Sequence, residues 1–113
     1  MADCLFCRIV AGELPARKVY EDEEVLAFRD IQPVAPVHVL VVPKRHLDGL
    51  AAAGAEDAPL LGRLLDAARR VAEAEGLAEG YRVVVNQGRH GGQSVGHLHL
   101  HVLGGRAMQW PPG

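Results

Sequence analysis

Leucine or valine alternates with histidine along residues 97–103, HLHLHVL. Apolar residues at every second position favour an extended strand, whose side chains point to opposite faces in turn. The pattern predicts that the apolar side chains face the core and that His97, His99 and His101 share the other face, as a site. Same-face neighbours on a strand lie about 7 Å apart, so three imidazoles could surround a phosphate-sized group or share a metal ion.

Four other segments have the composition of strands. Residues 18–20 and 25–29 flank the acidic turn EDEE and predict a hairpin. Residues 37–42, VHVLVV, are almost continuously apolar, which indicates a central strand. Residues 81–86, YRVVVN, predict another strand, ahead of the loop QGRHGGQSVG.

Two segments have helical patterns. Residues 59–75 repeat apolar side chains at a period near 3.6 between Pro59 and Gly76, which predicts an amphipathic helix. A shorter helix is predicted over residues 4–11. Helices and strands do not alternate regularly, so we expect an α+β fold around a largely antiparallel sheet, in one domain spanning residues 1–113.

Composition narrows the class of protein. The chain has 113 residues, of which 49% are hydrophobic, and a formal net charge of −2, so it has no basic excess that would indicate a nucleic-acid or membrane surface. It shows neither a signal-peptide pattern nor an apolar run of transmembrane length, which predicts a cytoplasmic protein. Two cysteines are too few for the cystine framework of a secreted protein.

The loop before the histidines is rich in glycine. Its glycines are Gly88, Gly91, Gly92 and Gly96. Glycine permits backbone conformations that bring N–H groups close to an anion, and Ser94 adds a hydroxyl. Such loops are also typical of long hairpin turns. Because this one leads directly into three histidines, it favours a phosphate-binding loop.

The motif Cys4-Leu-Phe-Cys7 allows three interpretations. On the first turn of a helix both thiols share a face and could bind one Zn²⁺, with His46 and one histidine of the row completing the four ligands. A redox pair is the second interpretation, although such pairs usually follow a strand in a βαβ unit. Two inert thiols are the third.

The motif HLHLHVL is similar to the His-x-His-x-His-x-x motif of the histidine triad (HIT) family. The stretches FRDIQPVAPVHVLVVPKRH, YRVVVNQGRHGGQSVGHLHLHVLGGR and MQWPPG resemble its Hint branch over nearly the whole chain. The resemblance implies a homodimer with a HIT-like fold, five antiparallel strands and two helices in each protomer. It also implies a nucleotide hydrolase or transferase that cleaves purine nucleoside 5′-phosphoramidates and related aminoacyl-type adenylates to AMP.

The resemblance assigns roles to individual side chains. His99 matches the nucleophile that attacks the α-phosphorus and forms a nucleotidyl-histidine intermediate. His101 matches the neighbour that contacts the phosphate and helps to protonate the leaving amine, and His38 matches an orienting residue. Asp30 matches the ribose-binding carboxylate, and Ile31 lines the base pocket. Phosphate and leaving-group contacts are assigned to Asn86, Gly92, Gln93 and Ser94.

The resemblance also bears on the cysteines. The Cys-x-x-Cys motif at the start of this chain departs from the eukaryotic Hint pattern and resembles bacterial HIT proteins. This resemblance implies a structural Zn²⁺ held by Cys4, Cys7, His46 and His97. The chemistry at His99 is expected to need no metal. Gly96 replaces a bulkier residue of the Hint relatives, and His90 is expected to be solvated.

Two other functions are compatible with the same residues. The histidine row could itself be a three-histidine metal centre, or the protein could be an AMP-binding regulatory module with little turnover. In relatives of the Hint type the C-terminal QWPPG reaches across the dimer toward the substrate, which suggests that Trp110 tunes the choice of leaving group.

Overall fold

Two α-helices and five strands make up the fold of the part of the chain that the structure describes. The computed structural model describes residues 3–113. The elements are α1 Leu5–Val10, β1 Lys18–Glu21, β2 Val25–Arg29, β3 Val37–Pro43, 3-10 turns at Leu50–Ala52 and Ala55–Asp57, α2 Ala58–Ala74, β4 Tyr81–Val84 and β5 Leu100–Gly104. The predicted α+β class is confirmed, whereas neither 3-10 turn was predicted. No helix in the described part of the chain combines the length and apolar character that crossing a membrane requires.

The five strands form one sheet in the order β1-β2-β3-β5-β4, and every neighbouring pair is antiparallel. This confirms the five-stranded antiparallel sheet and the central place expected for β3. The chain leaves β3 through α2, enters the edge strand β4, and returns through a long loop to β5 between them. The glycine-rich loop therefore delivers the histidines to the middle of the sheet.

Helix α2 covers one face of the sheet. Proline at its second position fits the first turn, where a backbone N–H has no helical partner. Gly76 ends the helix with a φ of 73°, and the N–H of Leu77 returns to the carbonyl of Ala72 at 3.0 Å. The core on this face combines α2 side chains with alternate strand residues, among them Leu64, Val71, Val39, Val41, Leu98, Leu100 and Val102.

The opposite face of the sheet is also buried. Helix α1 packs there through Phe6 and Ile9, against a second apolar cluster that includes Leu26, Phe28, Leu40 and Val42. The near-continuous apolar character of β3 is explained, because both of its faces are covered.

The histidine row differs from its prediction in where its strand begins. The strand β5 starts only at Leu100, so His97 and His99 lie on the segment leading into it. The apolar and histidine faces alternate as expected, since Leu98 and Leu100 pack on the α2 side. The histidine face is covered as well: His97 is 0% and His99 4% exposed, because α1 packs on them.

Candidate active site and metal cluster

Polar side chains around the histidine row form two separate clusters. The cysteine–histidine cluster consists of Cys4, Cys7, His46 and His97, and the histidine–aspartate cluster of Asp30, His38 and His101. Within each cluster the ligand-type atoms lie within 4.8 Å of one another. His97 and His101 thus belong to different groups, and the described residues do not form a single three-histidine centre.

The cysteine–histidine cluster joins the start of α1 to the segment before β5. Cys4 caps α1, and its Sγ accepts a hydrogen bond from the backbone N–H of Cys7 at 3.4 Å. The Sγ of Cys4 lies 3.3 Å from Nδ1 of His97, and the Sγ of Cys7 lies 3.3 Å from Nδ1 of His46 and 3.6 Å from Nδ1 of His97. Four soft or borderline donors therefore converge on one point.

Outer hydrogen bonds set the tautomers of both histidines in this cluster. Nε2–H of His97 donates to the carbonyl of Pro43 at 2.9 Å, and Nε2–H of His46 donates to Oδ1 of Asp48 at 2.7 Å. Each Nδ1 therefore carries a lone pair, and the two Nδ1 atoms face each other at 3.2 Å. Facing lone pairs repel unless a cation lies between them, and metal-bound histidines typically donate their other N–H to an acceptor in this way.

The spacing of these atoms fits zinc. With Zn–N near 2.05 Å and Zn–S near 2.3 Å, a tetrahedral site has N···N edges of about 3.4 Å and N···S edges of about 3.6 Å. The observed edges of 3.2, 3.3 and 3.6 Å come close to these values. Of the three interpretations of the cysteine motif, the geometry favours a metal site.

Protonation in the cluster agrees with a cation. Burial raises the pKa of the Cys7 thiol above its ordinary value, and the neighbouring Cys4 acts in the same direction. A positive charge is therefore needed to keep the Cys7 sulfur as a thiolate. Burial lowers the pKa of His97, which favours the neutral imidazole that a metal binds.

The histidine–aspartate cluster lies at the opposite end of the histidine row from His97. His38 on β3 and His101 on β5 are diagonal neighbours on one face, because His38 pairs with Leu103 in the sheet. Their rings meet with Nε2 of His38 2.9 Å from Nδ1 of His101. Oδ2 of Asp30, just after β2, lies 3.4 Å from the same Nε2.

The direction of hydrogen bonding in this cluster follows from one backbone amide. The N–H of Val34 donates to Nδ1 of His38 at 3.1 Å, so the ring hydrogen of His38 must be on Nε2. His38 then donates to Nδ1 of His101, and the hydrogen of His101 is on its own Nε2. This Nε2 is buried and has no partner among the described residues. The hydrogen bonds of the cluster therefore run from Val34 to His38 and on to His101, whose Nε2–H is left as a donor without an acceptor among the described residues.

His99 lies between the two clusters with the opposite tautomer. Its Nδ1–H donates to the backbone carbonyl of His97 at 2.7 Å, which leaves the lone pair on Nε2. Its ring centroid lies 5.0 Å from that of His101, and the ring of Phe6 packs edge-to-face at 5.2 Å on His99. A bare ring nitrogen and a free N–H thus stand on adjacent imidazoles, as a nucleophile and a phosphate donor require.

His38 and His101, the two histidines of the histidine–aspartate cluster, resist protonation. Burial lowers the pKa of His101 to about 4, and the neighbouring His99 and His38 act in the same direction. Burial also lowers the pKa of His38, although the nearby Asp30 carboxylate opposes this shift. Both rings are therefore neutral near pH 7.

The glycine-rich loop is hydrogen-bonded to Asp48, the residue that bonds to His46 of the cysteine–histidine cluster. The amide of Gln93 donates to the carbonyls of Asp48 at 2.7 Å and Val95 at 3.0 Å, and its oxygen accepts from the N–H of Gly88 at 2.9 Å. Gly88 and Gly92 have φ angles of 71° and 79°, a region that favours glycine. The predicted phosphate loop is thus shaped by glycine, and the Gln93 amide is occupied by backbone groups.

The remaining predicted site residues lie around these clusters. Ser94 is exposed and lines a cleft of about 650 Å³ together with Gly88, Gln93 and Asp48. Ile31 is 94% exposed in the loop after Asp30, whereas Asn86 is half-buried just after β4. His90 is exposed, as expected. The structure does not bring Ile31 or Asn86 into any described contact with the histidines.

Sequence reasoning missed three contributors to the site. Asp48 follows the metal-type His46 by two residues, and this spacing of a carboxylate was a usable signal. Phe6, between the two cysteines, contacts both His97 and His99. The backbone amide of Val34 has no sequence signature, because any residue other than proline carries one.

Comparison with known proteins gives consistent matches. The family model for the HIT domain matches residues 11–108. The chain is 54% identical to an uncharacterized HIT-like protein of Synechococcus elongatus, over 98% of this chain and 97% of that protein. It is 52% identical to a 14 kDa zinc-binding protein of Brassica juncea, over 98% and 100%. The crystal structure of a HIT family hydrolase from Legionella pneumophila superposes with a TM-score of 0.96 at 52% identity, covering 98% and 100%.

We expect acid to destabilise the protein partly through His101. Because its pKa falls from 6.5 to about 4 on folding, the unfolded chain binds more protons between these values, and the free energy of unfolding decreases as the pH falls through this window. The contribution is at most about 3 kcal/mol.

Urea unfolding at neutral pH and at the acid end of the window tests this prediction. The free energy of unfolding that is lost between the two pH values should be smaller for His101→Asn than for the wild type. His90→Asn, at an exposed histidine, should lose as much as the wild type. Equal losses for wild type and His101→Asn would contradict this assignment.

Proposed function

Since this chain belongs to the HIT family, we propose that it is a hydrolase or transferase that cleaves purine nucleoside 5′-phosphoramidates and related aminoacyl-type adenylates to AMP. The observation that supports this most directly is the pair of opposite tautomers on neighbouring rings. His99 presents a lone pair on Nε2, and His101 presents an unused Nε2–H. The solved HIT family hydrolase of Legionella pneumophila supports the hydrolase class.

The reaction we propose has two displacements at phosphorus. Nε2 of His99 attacks the α-phosphorus, a P–N bond to the histidine forms, and the substrate's P–N bond breaks. The leaving nitrogen keeps the bonding electron pair and takes up a proton. Water then attacks the phosphorus and loses a proton to the solvent, the bond to His99 breaks with its electron pair returning to Nε2, and AMP is released. Splitting one displacement into two easier ones is the advantage of a nucleophilic side chain.

His101 stabilises this reaction through its Nε2–H. A neutral donor aimed at the site can bind a non-bridging phosphate oxygen, where negative charge develops. To give a proton to the leaving amine, His101 must first carry a second one. A bound phosphate anion raises the pKa of an adjacent imidazole and so favours this state. His38 orients His101 through their 2.9 Å hydrogen bond.

We assign the nucleotide to the surface next to this pair. The carboxylate of Asp30 is proposed to bind the ribose, and the fully exposed side chain of Ile31 to cover the base. The phosphate and leaving-group contacts proposed are Asn86, Gly92, Gln93 and Ser94. Because the amide of Gln93 is bonded to backbone groups, its side chain would act by shaping the loop, and Ser94 would offer its exposed hydroxyl.

A structural Zn²⁺ completes the proposal. Cys4, Cys7, His46 and His97 would hold it, and one relative of similar length is a zinc-binding protein by name. The ion would fix the start of α1 to the segment before β5. No step at His99 requires it, in contrast to Mg²⁺-dependent phosphoryl transfer.

The zinc assignment predicts about one Zn²⁺ per chain by elemental analysis of the native, reduced protein. Cys7→Ser should abolish binding, because it removes one of the four ligands. Asp48→Asn should weaken binding about tenfold or more in a chelator competition, because it disturbs the outer hydrogen bond of His46. His90→Asn serves as the control and should bind as the wild type does. A folded, reduced wild type that contains no zinc would refute this part alone.

The catalytic assignment predicts that His99→Ala loses at least about 10³-fold of its turnover of an aminoalkyl adenosine 5′-phosphoramidate. AMP binding and the circular dichroism spectrum should persist, which checks that loss of this buried ring has not unfolded the protein. Trapped wild-type enzyme should carry one nucleotidyl group by intact mass. Retained turnover in a clean His99→Ala preparation would rule out the mechanism. AMP binding by the wild type without any turnover would favour the regulatory module instead.

We also propose that the protein is a homodimer. Strand β4 is an edge strand, and within the described chain β5 is its only partner. Arg82 on β4 donates to the carbonyl of Gln109 at 2.7 Å, which holds the C-terminal segment beside this edge. The next residue, Trp110, is 82% exposed, a large apolar surface for a single chain. A second copy on this edge would cover it.

The dimer assignment predicts that the wild type sediments as twice the mass of one chain. Trp110→Ala should change the relative kcat/KM values for different amine leaving groups by about tenfold, because the indole would contact that part of the substrate. Arg69→Ala, at an exposed helical position, should leave these ratios unchanged. A monomeric wild type would contradict the dimer, and unchanged ratios in Trp110→Ala would contradict the role of Trp110.

A further inference from the structure

We propose that Arg106 is a positioning residue that, through Val34, sets the tautomers of His38 and His101. Its effect on catalysis rests on the proposed function, whereas its effect on the tautomers does not. The relevant segment is the loop 30–36, DIQPVAP, which joins β2 to β3. Arg106 lies beyond the end of β5, on the surface and outside the site.

Three hydrogen bonds connect Arg106 to the site. Nη2 of Arg106 donates to the carbonyl of Val34 at 3.0 Å. The N–H of Val34 donates to Nδ1 of His38 at 3.1 Å, and His38 donates through Nε2 to Nδ1 of His101 at 2.9 Å. The first two links have only one possible direction, because guanidinium and amide N–H groups cannot accept, and the second link leaves Nε2 of His38 as the donor in the third. The series of hydrogen bonds ends in the buried Nε2–H of His101, which has no partner within residues 3–113.

Polar contacts hold Val34 in place, and burial contributes little. Its side chain is 63% exposed, so it gains little from apolar packing in this position. At the other side of the loop, the N–H of Gln32 donates to Oδ1 of Asp30 at 2.8 Å. The backbone at Gly105 approaches the loop so closely that a Cβ there would lie 2.8 Å from Cβ of Pro36. The end of β5 therefore holds the loop through a close approach and through the Arg106 bond.

The tautomer decides whether the site contains a hydrogen-bond donor. If His38 carried its hydrogen on Nδ1, this hydrogen would face the N–H of Val34, and Nε2 would need a donor from His101. His101 would then have its hydrogen on Nδ1 and a lone pair on Nε2. Two lone pairs, on His99 and His101, would face the substrate, and neither ring could donate to a phosphate oxygen.

Asp30 is the competing acceptor for the hydrogen of His38. Its Oδ2 lies 3.4 Å from Nε2 of His38, against 2.9 Å for Nδ1 of His101. A small rotation of the His38 ring would exchange these partners. A fixed Val34 amide opposes that rotation, because it holds the Nδ1 side of the ring.

The test is the ¹⁵N spectrum of the histidine side chains in the full protein above neutral pH, where tautomers are distinguished directly. In the wild type, His38 and His101 should each carry hydrogen on Nε2 alone, and exposed His90 should show the averaged signal of a free imidazole. Arg106→Met removes the donors and keeps the aliphatic length. We expect mixed tautomers at His38 and His101 in this variant.

Two controls isolate the contact. Arg82→Met makes the same change at an arginine that donates to the carbonyl of Gln109 and should leave the tautomers of His38 and His101 as in the wild type. Arg106→Lys keeps one donor for the carbonyl of Val34 and should restore most of the single-tautomer signal. With an adenosine phosphoramidate, Arg106→Met should lower kcat about tenfold with little change in KM, because the N–H of Gln32 holds the carboxylate of Asp30 independently of Arg106.

A second pair of variants tests the amide itself and covers the case in which Arg106→Met does not fold. Val34→Pro deletes the amide hydrogen and should mix the tautomers, whereas Val34→Ala keeps it and should not. Wild-type tautomers in Arg106→Met or Val34→Pro overturn the proposal. Mixed tautomers with unchanged kcat overturn the catalytic part. A wild type that turns over no phosphoramidate defeats the proposed function, and the spectra still decide the role of Arg106.

Discussion

The buried imidazole of His97 is the part on which the rest of the site depends. Its Nε2–H bonds to the carbonyl of Pro43 at the end of β3, its Nδ1 faces the two cysteines, and its backbone carbonyl accepts from His99. Three contacts therefore depend on one residue, and that residue has no exposed surface. A buried polar group is stable only when its hydrogen bonds are made, so the structure must hold all three partners together.

Helix α1 connects this residue to the second core. Six residues are too few for a helix to be stable alone, and α1 depends on its contacts. Phe6 packs on His97 at 5.8 Å and on His99 at 5.2 Å, while Cys4 and Cys7 hold its first turn at the metal cluster. The segment that carries the metal-type ligands thereby also shields the proposed nucleophile from water.

Elements with strong periodicity could be predicted from sequence, and relations between distant backbone groups could not. The 3.6-residue period of α2 and the apolar run of β3 depend on neighbouring residues, and both predictions are confirmed. The cover on the histidine face could not be predicted from the local pattern, because it comes from α1, about 90 residues away. The tautomers depend on the carbonyl of Pro43 and the amide of Val34, groups that every such residue carries. Spacing alone suggested that Cys4, Cys7 and His46 share a metal ion with one histidine of the row, and only the choice of His97 came from the family resemblance.

The long sequence separation within the metal cluster has a consequence for the order of folding. Cys4 and His97 are 93 positions apart, so an ion that joins them closes a loop of nearly the whole chain. Closing a loop of this length costs an unfolded chain about 4 kcal/mol of entropy. In the folded protein β2, β3 and β5 bring these two residues together, so a sheet that has already formed would lower this cost. The ion would then bind after the strands have paired, and its release would loosen α1 before the central sheet.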